Sequence, residues 1–487
     1  MSFLRFSCVA LCVGVMLGTQ PSIWAQSGDQ NADKIQTLQK QLDEMKAQMA
    51  TVQAQIADLS SGTKPGATAV PEKEENPAAQ AAALHLVPTQ QVSQATATYQ
   101  TDSQDQVAAP RIDNAPLDPR FPGYFRIPGT KTMLKIGGYF KSDFIYDLKP
   151  AGDAERFIPS TFPIPAPPGV NNTTVSVRPT RLNLDFLIPV GSSSVRFFVE
   201  GDLFGSNSTT PRLRHAYAQV RNVLIGQTFS NFQDPDAGPD TLEFQGPNSQ
   251  VSIRNPQFRY SFKLAEKTSL SISVEKASSD VAFKTPEFSA LPNSPSPDTA
   301  VKFRQEMSNG HFQLSALFRA PAAYLLDGRN ESVFGWGINA TGAVKVFAKD
   351  TIVYQAAYGA GMERYINDTS GLGIDAAPTD AARPHLKAVP LTATYGAYQH
   401  YWLKNLRSSA VYGFAQVQNT DLQTGSAFHQ SNYSAANLIW NPFGSLNVGA
   451  EFLYGWIVKK DNTGANASRI MFSAKYNFVK PGDTKGL

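Results

Sequence analysis

Cysteine is almost absent from this 487-residue chain. Its two cysteines, Cys8 and Cys12, both lie within the first 25 residues, so nothing downstream can form a disulfide or offer a catalytic thiol. Long apolar runs are missing as well. Mean hydropathy is −0.26, and past the N-terminus no window approaches the 18 or so apolar residues of a transmembrane helix. Net charge is small, +3 from 43 basic and 40 acidic residues, too little to recruit nucleic acid. The six histidines, His85, His215, His311, His385, His400 and His429, never fall at an H-x-x-x-H spacing, so no metal-binding helix is indicated. No G-x-S-x-G is present either, and no catalytic constellation or cofactor is called for. A serine hydrolase built from a lone Ser/His pair stays open as an alternative, because such a pair leaves no local signature.

What is present begins with a secretory signal over Met1–Ala25. Arg5 is its only charge, Phe6–Leu17 is mostly apolar, and Ala25 offers a small residue before Gln26. A retained membrane anchor, the alternative, needs a longer segment. Leu11 before Cys12 does not suit a lipoprotein cleavage site. Removal of the signal leaves a cysteine-free chain and lowers the formal charge from +3 to +2.

Residues 30–60 carry a heptad pattern. Ile35, Leu42, Met49 and Ile56 occupy the a positions, and Leu38, Met45, Val52 and Leu59 the d positions. Apolar residues spaced 3-4-3-4 predict a left-handed α-helical coiled coil, and this a/d mixture is compatible with a parallel trimer. One amphipathic helix lying on another surface is the alternative. Residues 61–120 are rich in Ala, Pro, Gln, Thr and Ser with no sustained period, the composition of a disordered linker.

From residue 121 to the end the pattern changes to short two-faced strands. In Thr132–Asp147, Leu134, Ile136, Gly138, Phe140, Ser142, Phe144 and Tyr146 share one face, opposite Lys135, Lys141 and Asp143. Near the end, Ile470, Phe472, Ala474, Tyr476 and Phe478 oppose Arg469, Ser473, Lys475 and Asn477. Sixteen such strands are expected, and their connections alternate long and short. The long gaps fall near 148–173, 205–210, 230–250, 280–297, 321–330, 367–385, 420–427 and 461–467. Tight turns on one rim and long loops on the other are the mark of an antiparallel transmembrane β-barrel whose alternate residues meet lipid and lumen. Tyr401–Trp402, Trp440 and Tyr454 with Trp456 lie near strand ends, as interfacial girdles require. The expected fold class is therefore all-β: a sixteen-stranded barrel of the Gram-negative outer membrane, preceded by a periplasmic coiled coil.

The lumen face is basic. Arg196, Glu200 and Asp202 share a parity, as do Arg181, Asn183 and Asp185 on the neighbouring strand. Arg212 and Arg214 sit together, with Ala216 and Ala218 expected on their face and Tyr217 on the other. Arg259 with Lys263, and Lys302 with Arg304, follow. Cationic side chains facing a lumen concentrate anions. Generic hydration, with each Arg paired to a carboxylate such as Glu200, is the alternative. The third long connection carries Asp234, Asp236, Asp240 and Glu243 between prolines and glycines. If it folds inward it forms a constriction, its carboxylates facing the lumen arginines. A calcium site or a solvated surface loop is the duller reading.

Five stretches carry a family likeness: Gly137-Gly138-Tyr139, Thr180 to Phe186 (TRLNLDF), Val199 to Gly205 (VEGDLFG), Leu213 to Tyr217 (LRHAY) and Ile225 to Asp234 (IGQTFSNFQD). With them the chain resembles the DcaP-type trimeric outer-membrane porins. The resemblance implies a homotrimer of barrels passing small anions, notably dicarboxylates, with Arg181, Arg196, Arg214 and Arg259 as candidate solute contacts. The aromatic-ended last strand resembles the signal read by the barrel assembly machinery. Membrane lipid and small anionic solutes complete the expected partners. The coiled coil also allows a different role, a structural tether between outer membrane and peptidoglycan.

Overall fold

The structure, a computed structural model, describes residues 124–478 apart from 191–192, 206–208, 283, 286–287, 326–327, 348 and 380–384. The expected signal, coiled coil and linker lie outside the described residues.

Sixteen antiparallel strands close on themselves. They are β1 (Met133–Lys149), β2 (Asn172–Ser176 continued by Arg181–Val190), β3 (Ser193–Asp202), β4 (Arg212–Val220), β5 (Val223–Phe229), β6 (Arg254–Ala265), β7 (Thr268–Glu275) and β8 (Asp298–Met307). The second half comprises β9 (Gly310–Arg319), β10 (Gly335–Val346), β11 (Asp350–Ala360), β12 (Pro390–Leu403), β13 (Leu406–Val417), β14 (Phe428–Phe443), β15 (Leu446–Lys459) and β16 (Gly464–Asn477). Each strand pairs with its sequence neighbour. The seam runs from Tyr139 opposite Asn477 to Asp147 opposite Arg469. Closure removes every sheet edge, which is what allows strands to stand in hydrocarbon.

Period-two patterning explains the outer surface. Ile136, Phe140 and Phe144 of β1, Leu182 of β2 and Phe472 and Tyr476 of β16 all point outward and are exposed, while Tyr139, Lys141, Asp143 and Asp147 point inward and are buried. Trp402 and Trp440 stand near the short-turn rim, Tyr454 and Trp456 near the other. The alternation of connections holds with one change. The eighth long gap shrinks to 460–463, because β15 and β16 stay paired out to Val458 opposite Gly464.

A second change sits in β4. There the register slips between Glu200 opposite His215 and Gly201 opposite Leu213. Arg214 is therefore the extra residue of a β-bulge, and parity reverses beyond it. Arg214, His215 and Tyr217 are all buried, while Ala216 and Ala218 lie on the opposite, less buried face. The expectation that these alanines share the arginine face is corrected by the bulge.

The long loops fill much of the interior. From Ser230 to Val251 every residue is buried except Pro235 and Gln245, which are half-buried. Phe157 and Phe162 of the first long loop, Phe232, Leu242 and Val251 of the third, and Met362, Tyr365 and Ile366 of the sixth form one apolar cluster. Inward residues of β1 and of β8 to β16, among them Ala300, Leu317, Val353, Leu391, Val411, Tyr433 and Met471, complete it. None of its members comes from β2 to β7. The two sides of the interior thus differ: the aliphatic cluster and the loops packed on it lie on one, beside buried charges such as Arg304, Arg407 and Arg469, while the other lacks that cluster and is polar and basic.

Candidate functional site

The basic side is built where β2, β3, β4 and β6 meet the third loop. Antiparallel register sets Arg181 opposite Asp202 and Asn183 opposite Glu200, and sets Glu200 opposite His215 and Asp202 opposite Arg212. Arg214 donates to Asp202 at 2.7 Å and lies 3.3 Å from Glu200. Arg212 forks onto Asp202, its Nε and Nη2 at 3.0 and 2.7 Å. Arg181 stands 3.8 Å from Glu200. The bulge is what brings Arg212, Arg214 and His215 inward together, and Gln227 across the ladder donates to the carbonyls of Leu213 and Arg214 at 3.3 and 3.1 Å.

Two further arginines join this group. Arg178, in the turn that interrupts β2, donates to the Leu203 and Gly205 carbonyls and pairs with Glu155 of the first long loop. Arg254, at the start of β6, reaches His215 at 3.4 Å and lies over the Phe229 ring at 4.7 Å. Five guanidiniums (Arg178, Arg181, Arg212, Arg214 and Arg254) and three carboxylates (Glu155, Glu200 and Asp202) thus share this side of the interior. Water reaches part of the group, for the Arg212 side chain is 37% exposed.

The other sequence-named residues occupy separate stations. Arg196 forks onto Asp185 at 2.8 and 2.6 Å. Arg259 donates to Gln257 at 2.9 Å and to the Phe229 carbonyl at 2.5 Å. Lys302 is buried on the inner face of β8 beside Arg304. Arg304 meets the third loop, with Asp234 and Asp236 each 3.1 Å away, and Glu306 at 2.7 Å. Asp234 also bonds His311 at 2.8 Å and Thr341 at 2.7 Å. Burial would raise its carboxyl, but His311 and Arg304 outweigh that and hold it well below the usual carboxylate range.

Asp240 pairs with Arg407 at 2.6 Å. Glu243 meets no arginine. It accepts the Phe157 and Gly246 amides at 3.0 and 2.7 Å, next to Glu451, which accepts the Leu242 and Glu243 amides. The third loop's carboxylates are thus brought to β8, β13 and the first long loop. Toward Arg181 and Arg214 the loop presents Phe244, whose ring lies 5.3 and 5.6 Å from their guanidinium carbons. Among the described residues no group of three or more His, Cys, Asp or Glu side chains is arranged to hold a metal ion.

Several charged residues of the interior were not singled out in the sequence. Arg407 sits at inward parity, so the alternation could have found it; Arg469, which the alternation of the last strand did set opposite Ile470 and Phe472, bonds Asp147 at 2.6 Å and the Asp153 carbonyl at 2.7 Å. Arg178 lies in a turn, where no period applies. Arg319, at the end of β9, joins the start of β8 to the sixth long loop, with Asp298 at 3.3 Å and Asp375 at 3.0 Å.

Comparison with known proteins agrees with this architecture. Among solved structures, the chain is similar to the outer membrane channel DcaP of Acinetobacter baumannii, with a TM-score of 0.64 and 24% identity over 73% of this chain and 99% of that one. More distant similarities are to the anion-selective porin of Comamonas acidovorans (TM-score 0.46, 10% identity, 72% of this chain and 100% of that one) and to outer-membrane expressed OmpT of Vibrio cholerae (TM-score 0.44, 9% identity, 72% and 99%). No curated protein sequence matches the chain. The family model of the DcaP outer membrane protein matches residues 126–478, from the first described strand through the last, and the chain belongs to that family.

Proposed function

We propose that this outer-membrane barrel is a passive diffusion channel for small, preferably anionic solutes such as dicarboxylates. The observation that carries this is the gathering of five guanidiniums on one side of the interior, with Arg212 open to water. A fixed positive field inside a low-dielectric wall raises the local concentration of anions and opposes cations. Arg178 and Arg212 lie over one ring, that of Phe204, which holds two positive charges close together. Passive diffusion needs no cofactor and no catalytic residue. Among the described residues the histidines bond to groups such as Thr228, Asp234, Asp350 and Asn419.

The protein would work as a homotrimer whose residues 30–60 form a periplasmic coiled coil, with the short turns facing the periplasm. Tethering to the cell wall is compatible with that role and separable from it. Deleting residues 30–60 would then loosen the envelope and leave single-channel conductance unchanged.

Reversal potentials in planar bilayers under a potassium chloride gradient test the anion preference. Native protein should favour chloride, and Arg212→Ala should shift the potential toward the cation side. A cation-selective native channel overturns the proposal.

A further inference from the structure

The third loop meets the basic wall with a neutral ring where its neighbouring residues would have supplied charge. Phe244 stacks on Phe204, centroids 4.4 Å apart and planes 25° from parallel. Arg181 and Arg214 lie 5.3 and 5.6 Å from the Phe244 centroid, and Arg178 and Arg212 lie 4.6 and 5.5 Å from that of Phe204. Both rings are buried. One aromatic pair, drawn from two distant segments, is thus dressed by four guanidiniums.

An aromatic face attracts a cation through its quadrupole but carries no net charge. A carboxylate in the same place would add a negative charge to the group. Glu243, one residue earlier, is directed instead to the amides of Phe157 and Gly246. On the other side, Gln245 donates to Asn367 at 3.2 Å. Loop alternation therefore selects which residue faces the arginines.

We propose that Phe244, stacked on Phe204, is the positioning residue of the basic site: it orders four guanidiniums while adding no charge of its own to the group. This rests on the anion-channel reading and deepens it, by giving the third loop a selectivity role that lies in its aromatic rather than in its carboxylates. Phe244 is buried, so it acts through the arginines and does not itself touch the solute.

The test uses the full-length protein reconstituted in planar bilayers. Phe244→Leu keeps the bulk and removes the quadrupole. It should lower the anion-to-cation permeability ratio about two- to fivefold, on the scale of one modest cation–π contact. Phe244→Trp should restore the native ratio, and Phe244→Glu should abolish the preference. A native ratio in Phe244→Leu, or a ratio in Phe244→Trp as low as in Phe244→Leu, overturns the proposal. A readout independent of selectivity is a double-mutant cycle between Phe244→Leu and Arg181→Met, scored by the temperature at which the folded barrel loses its compact migration in detergent gels. Coupling between the two sites is expected, and strict additivity overturns the positioning role. If the native channel favours cations while coupling persists, the anion reading fails and the positioning role stands.

Discussion

Asp240 accepts from Arg407 Nε at 2.6 Å, and both side chains are buried inside the barrel, 167 residues apart in sequence. Gln399 also reaches the Asp240 carboxylate, and Asn437 donates to its backbone carbonyl at 2.7 Å. With Arg304 holding Asp234 and Asp236 at another station, the third loop is clamped to the β8 and β13 walls by charge. Removing one partner of a buried ion pair strands the other, a penalty of about 3–5 kcal/mol, whereas neutral replacement of both is far milder. Arg407→Met should therefore release the loop locally, without unfolding a barrel whose ladder is intact. Single-channel recordings should show a larger or fluctuating conductance in Arg407→Met and a return toward native behaviour in Arg407→Met combined with Asp240→Asn. A quiet, native-like Arg407→Met channel would show that the loop is held by other contacts.

The first long loop is docked through groups that titrate near neutrality. Its Phe157 amide donates to Glu243 and its Ser160 amide to Asp368, so one carboxyl from the third loop and one from the sixth hold adjacent turns. Burial, opposed by backbone hydrogen bonds and assisted by the charge of Glu451, pushes the Glu243 carboxyl up to about 7. Burial likewise pushes Asp368 up to about 6. A raised carboxyl binds its proton more tightly docked than undocked. Docking is therefore strongest below the ordinary carboxylate range, weakens as pH rises from there to about 7, and changes little beyond. Amide hydrogen exchange at Phe157 and Ser160, corrected for intrinsic rates, should show weaker protection at pH 8 than at pH 5. Glu243→Gln combined with Asp368→Asn should remove that dependence. Equal protection of the native loop at both values would exclude the mechanism.

The barrel was legible in the sequence because its constraint is simple and local. Leu134 to Tyr146 had to alternate to separate lipid from interior, and turn lengths had to sort by rim. The lumen-facing parity of Arg181, Arg196 and Arg304 followed from the same rule. What parity could not supply is the bulge at Arg214, since one inserted residue leaves no trace in composition and turns Ala216 and Ala218 outward. Nor could it tell where a folded-in loop points its side chains. Asp234, Asp240, Glu243 and Phe244 lie close in sequence, yet they meet Arg304, Arg407, a backbone amide pair and Arg181, respectively. Those partners are fixed by long-range packing against the aliphatic half of the interior. Its inward alanines and valines read in the sequence only as lumen positions.

Three residues past the bulge, Gly226 faces Tyr217 across the β4–β5 ladder. Gly226 has φ +128°, and a Cβ there would lie 2.3 Å from the Ala216 carbonyl oxygen and 2.6 Å from the Tyr217 Cα. Only glycine tolerates both the dihedral and the approach. Gly226→Ala must therefore push β4 and β5 apart beside the extra residue, at a cost of about 1–3 kcal/mol. The remaining strands still close the barrel, so the protein should insert, but with a lowered unfolding temperature in detergent gels. Arg214 and Arg212 should lose their common aim, and the permeability ratio should fall along with stability. Gly169→Ala provides the control. Gly169 also has positive φ, +67°, but a Cβ there would meet nothing within 4 Å, so backbone strain alone is added, in the first long loop. That variant should lose some stability and keep its ion preference. Matched losses of preference in the two variants would mean that selectivity follows general loosening of the barrel. A loss confined to Gly226→Ala ties it to the bulge that turns Arg214 inward.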